Sequence, residues 1–157
     1  MPLLESEVDI SVEFRPEEPL YRRILASELT NGEIGPNSLN SVSFDKNVSG
    51  APSVLRGAFA RPIDALHSDC AGGKNVSNHL VFFILVRDLP SPIQTPEGNA
   101  FEFYPLHKPL PTCGAHSVIA SCSAGDPARA YAKPSRPARN DLRAKLAVLL
   151  QPVVDLI

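Results

Sequence analysis

Seven consecutive apolar residues, Leu80-Val81-Phe82-Phe83-Ile84-Leu85-Val86, constrain what this chain can fold into more than any other segment. The run is far short of the roughly 18–20 residues a membrane helix needs. It also lacks the in–out alternation of a strand with one wet face. What remains is a strand from His79 to Arg87 that is central in a sheet and covered on both sides. A chain of 157 residues, 43% hydrophobic and 20% charged, has the material for such a core and suits one domain, residues 1–157.

Other segments fit around that strand. Glu7–Arg15 alternates without a break, so Val8, Ile10, Val12 and Phe14 are expected to face inward and the strand to stop at Pro16. Leu20–Leu25 is a strand or one helical turn, since six residues do not separate the two periods. Thr30–Asn40 reads as a loop, and Ser41–Phe44 as a short strand. Pro52 is expected to open a helical turn through Arg56, and Pro62 a short helix over Arg61–His67. Phe101–Tyr104 and Ser117–Cys122 are expected as strands. A basic, proline-rich connection near 125–137 precedes a helix over Asn140–Leu150, with Asn140 as N-cap and Leu142, Leu146, Leu149 and Leu150 on one face. The pattern predicts an α+β domain: a mostly antiparallel or mixed sheet, short helices and a C-terminal helix.

The amino terminus shows no basic-then-apolar leader pattern, and three cysteines without a C-x-x-C pair favour reduced thiols; both point to the cytoplasm. The Asn-Val-Ser sequons at Asn47 and Asn75 then carry no weight. The net charge of −2 conceals a polarity. Acidic residues crowd the first twenty positions, whereas Arg129, Lys133, Arg136, Arg139, Arg143 and Lys145 face only Asp141 in the Arg129–Lys145 segment. Such a segment is a solvated basic face or a surface for a polyanion, and Arg136, Arg139 and Arg143 are its candidate binding residues.

Chemistry concentrates between Phe101 and Ile119. His107 and His116 flank a loop stiffened by Pro109 and Pro111, and two imidazoles meeting in one pocket would suit general acid–base work. Lys108, Arg22 and Arg23 would then hold a phosphate. The plainer alternative is that both histidines brace the loop through backbone carbonyls. His67-x-x-Cys70 and Cys113-x-x-His116 together would supply zinc donors, but structural zinc sites usually pair C-x-x-C, and no metal is expected. There is no glycine-rich phosphate loop and no G-x-S-x-G elbow. Nor is there a basic strand interleaved with aromatics of the kind that reads RNA.

Two resemblances follow. Tyr21-Arg22 with Ser41-Val42-Ser43-Phe44 resembles the opening of ADP-ribosyltransferase-like enzymes that bind NAD, but Glu97 and Glu102 lack the acidic motif's setting. More broadly, Leu20-Tyr21-Arg22-Arg23-Ile24, Ser41-Val42-Ser43, Pro62–Leu66, His107-Lys108-Pro109 and Ala115-His116-Ser117 resemble a widespread family of small uncharacterised bacterial proteins. Its members carry an Arg-Arg-Ile-type motif, then His-x-Pro and Ala-His before a basic terminal helix. That resemblance covers about Leu20–Leu150 and implies roles for Arg22, Arg23, His107, Pro109 and His116. Where the family often has an acidic residue after the second histidine, this chain has Ser117-Val118. The expectation is a cytoplasmic bacterial accessory subunit without a cofactor or membrane span. It would recognise a protein partner or a phosphate-bearing ligand, with a nucleic acid or nucleotide as the second class. The alternative is a small metal-independent enzyme acting on RNA or a nucleotide through His107 and His116.

Overall fold

A computed structural model describes residues 13–35, 38, 53–67, 70, 78–89, 93–94, 100–125 and 136–156. Seven strands follow in chain order: β1 (Pro19–Leu25), β2 (Ser53–Arg56), β3 (His79–Leu85), β4 (Ile93–Gln94), β5 (Ala100–His107), β6 (His116–Ser123) and β7 (Gln151–Pro152). They form one sheet in the order β4-β5-β6-β2-β1-β3-β7. Every pairing in it is antiparallel. A helix, α1, spans Arg136–Ala147, and short 3-10 turns follow β1, β2 and β3. Among the described residues no helix is long and apolar enough to cross a membrane.

Alternation along the strands sends side chains to two different cores. Leu20, Ile24, Val54, Phe82, Ile84, Phe103 and Ile119 share one face with Leu146, Ala147 and Leu150 from the end of α1 and the turn after it. Leu55, Val81, Ala65, Cys113 and Ala115 pack on the other, beside Tyr21, Leu66, Val153 and Leu156. The chain's end is stitched to this second face, where the Ile63 N–H donates to the Leu156 carbonyl at 2.9 Å and the Val153 N–H to that of Val81 at 3.0 Å.

The apolar run is a strand with both faces in use, as its composition demands: Phe82 and Ile84 face the first core and Val81 the second. It is not central, however. β3 lies next to the two-residue edge strand β7, and Leu80 is 46% exposed. The middle position belongs to β2, where the sequence suggested a helical turn. Four residues between β1 and β6 gain ladder bonds on both sides, and that outweighs the weak signal of a preceding proline. The same logic settles Leu20–Leu25 as strand, in register with β3 along its whole length.

Pro62 does open a short helix, a 3-10 turn over Pro62–Leu66 whose Asp64 carboxylate accepts from the Arg61 N–H at 2.7 Å. The helix expected from Asn140 instead starts at Arg136, so Asn140 lies inside it rather than capping it. Leu146 and Leu150 are buried as expected, whereas Leu149 is exposed. Residues 13–15 are not strand. The rest of that expected strand, Ser41–Phe44, both sequons and most of the 125–137 connection lie outside the described residues.

Candidate functional site

Strand β2 ends on a charged residue that its register sends inward. Leu20 pairs with Arg56, so the guanidinium enters the first core beside Leu20 and Val54. Only 2% of Arg56 is exposed. A buried cation is tolerable only if paired and hydrogen-bonded. Glu18, buried just before β1, provides the pairing in bidentate form: Arg56 Nε donates to Oε2 at 2.9 Å and NH2 to Oε1 at 2.8 Å. NH2 also donates to the Glu13 carbonyl at 3.0 Å. The guanidinium lies 3.8 Å from the centre of the Phe14 ring and 4.9 Å from that of Phe59, so two aromatic rings hold it in place.

The turn after β2 completes the arrangement. The Gly57 N–H donates to the Pro19 carbonyl at 2.8 Å, and a Cβ at this glycine would fall 2.5 Å from Pro19 Cγ. Glycine permits that approach, which swings Ala58 and Phe59 over the ion pair. A cleft of about 530 Å³ opens here. Glu13, Arg15 and Glu17 are exposed along it, Glu18 and Arg56 lie deep, and Phe59 stays 40% exposed.

His107 adjoins this cluster. Its ring centre is 5.6 Å from that of Phe59, and its Nδ1 is 3.5 Å from Ser117 Oγ. Nε2 is buried without a hydrogen-bond partner among the described residues. Burial first, then Arg56, holds the imidazole below its ordinary pKa, with Glu18 opposing and His116 adding a little.

The expected convergence of the two histidines does not occur. β5 and β6 pair as a hairpin, but His107 pairs with Ser117, which places His116 on the opposite face of the sheet. A step of one residue in a strand reverses the direction of the side chain. His116 braces the loop: its Nδ1 donates to the Lys108 carbonyl at 2.7 Å, leaving Nε2 to meet Ser53 Oγ at 3.3 Å. The arginines divide in the same way. Arg22 shares a face with Phe82, its pairing partner, while Arg23 points to the other. Arg22 NH1 donates to the Ser53 carbonyl at 2.8 Å, its Nε is buried without an acceptor among the described residues, and burial followed by Arg23 pushes its pKa down to about 10. Burial also lowers the Arg23 pKa. Lys108 is half-buried at the hairpin's end. Arg136, Arg139 and Arg143 all fall on α1, and Arg143 donates to the Asn140 side chain at 3.1 Å.

The cysteines overturn the expectation of reduced thiols. Cys70 and Cys113 form a disulfide, while Cys122 stays buried in β6. The bond ties the segment after the Pro62–Leu66 turn to the β5–β6 loop. It also consumes the two sulfurs that a zinc set with His67 and His116 would require. Parity only forbids three cysteines from all pairing; it leaves one pair open.

No family model matches the chain, and comparison with curated proteins and with solved structures returns no match. The likeness to small bacterial proteins therefore rests on its short motifs alone.

Proposed function

We propose that this chain is a binding module, a bacterial accessory subunit, which docks a protein partner at the cleft beside Arg56 and Glu18; the Cys70–Cys113 disulfide removes the thiol ground for placing it in the cytoplasm. We assign its architecture to the α+β class. The observation that carries the reading is the fixed cleft wall, a buried ion pair held between Phe14 and Phe59 with the latter ring still partly exposed. A partly exposed aromatic on a rigid support is the kind of anchor on which interface energy concentrates. The enzymatic alternative requires His107 and His116 in one pocket, and they face away from each other. Phosphate capture by Arg22 and Arg23 meets the same difficulty, since they leave β1 on opposite sides.

Native mass spectrometry of gently purified protein tests this reading. A bound protein seen as added mass, and lost in Phe59→Ala, supports it. Turnover of RNA or a nucleotide by the protein alone, abolished in His107→Ala, overturns it. A second reading, contact of a nucleic acid with α1, draws on Arg136, Arg139 and Arg143 recurring at helical spacing. Its signature is affinity that falls steeply with salt.

A further inference from the structure

We infer, building on the docking role of the cleft, that its occupant is a cationic segment of a partner polypeptide, with an arginine or lysine seated against Phe59. The charges set the sign. Arg56, the deep cation, already gives Nε and NH2 to Glu18 and to the Glu13 carbonyl, and Glu18 spends both its oxygens on Arg56. With that pair neutralised, the exposed charges of the cleft among the described residues are the carboxylates of Glu13 and Glu17 against the guanidinium of Arg15. An incoming phosphate or carboxylate would meet like charge at the mouth, whereas an incoming guanidinium or ammonium meets attraction.

The aromatic wall points the same way and is independent of the carboxylates. Phe59 is 40% exposed, and the aliphatic stem of a lysine or arginine covers such a ring while its head reaches the rim. The cleft itself already shows this geometry in miniature, because Arg56 sits over both Phe14 and Phe59. About 530 Å³ accommodates a short extended segment rather than a folded domain. Gly57 fixes the cleft's shape through its contact with Pro19, so the segment meets a preformed wall.

The test uses fluorescence anisotropy with three labelled probes: a short peptide alternating arginine and serine, its glutamate counterpart, and a single-stranded oligonucleotide. Each is titrated with the wild-type protein, with Glu13→Gln/Glu17→Gln and with Phe59→Ala, after circular dichroism confirms that the variants fold. The arginine peptide is expected to bind saturably, about tenfold more weakly in the double variant, and more weakly still as salt rises. Undiminished binding of that peptide by the double variant overturns the inference. So does equal or tighter binding of the glutamate peptide or the oligonucleotide. If one of those two binds and Phe59→Ala abolishes it, the cleft remains the docking surface and only the cationic partner is wrong. If no probe responds to Phe59→Ala, the docking role falls as well. Dimerisation of the protein alone, lost in the double variant, overturns a separate partner in favour of a second copy of the chain.

Discussion

On one face of the sheet a guanidinium lies between two phenylalanine rings and grips a carboxylate; on the other, two sulfurs are joined across 43 residues of sequence. The first face also carries the larger cluster of buried side chains, with Leu146 and Ala147 of α1 among them. The second relies on a smaller cluster, a 3-10 turn and the chain's final residues. A large core can absorb the desolvation of an ion pair and use it to shape a cleft. A small one gains more from a covalent tie, because the tie acts on the unfolded chain and asks little of packing.

Removing one partner of the ion pair should show the difference most strongly. Arg56→Met strands the Glu18 carboxylate in the core and is expected to cost about 3–5 kcal/mol in a urea or guanidinium titration. The double variant Arg56→Met/Glu18→Leu should recover most of that loss. A double variant no more stable than the single one would show that the rings and the Glu13 carbonyl, rather than the stranded charge, set the cost. Replacing Cys70 and Cys113 by serine should cost about 2–4 kcal/mol, with reduction of the wild type giving a similar loss. An unchanged midpoint under reducing conditions would mean that the second face holds without its tie.

Gly57→Ala comes next, at about 1–3 kcal/mol, because the new methyl group must displace Pro19. A neutral result would show that the β2 turn is looser than the wall it supports. The smallest effect is one of pH. The pKa of His107 lies below its ordinary value of 6.5, so the unfolded chain takes up the proton more readily. The stability associated with this site is complete above pH 6.5 and is lost as pH falls through that value towards the folded pKa. His107→Gln should flatten this part of the stability–pH curve; an unaltered slope would assign it to another group.

Legibility in the sequence followed how local each determinant was. The apolar run at β3, the Pro62 turn and the buried Leu146 and Leu150 announce themselves within a few residues. β2 does not, since Ser53–Arg56 becomes strand only through neighbours distant in sequence. The two strands flanking the histidine loop were recognisable, but their register was not, and register decides which face each imidazole meets. Arg56 offered no signal at all: an arginine after two aliphatic residues looks like any strand end until Leu20 and Glu18 arrive beside it. The disulfide was equally silent, because spacing along a chain does not report which two of three sulfurs meet in space.

The bond between Cys70 and Cys113 also changes what a protease would release. A single cut anywhere between those two residues leaves both fragments attached through sulfur. On a non-reducing gel the nicked protein would therefore run as one species, and thiol treatment would split it into two.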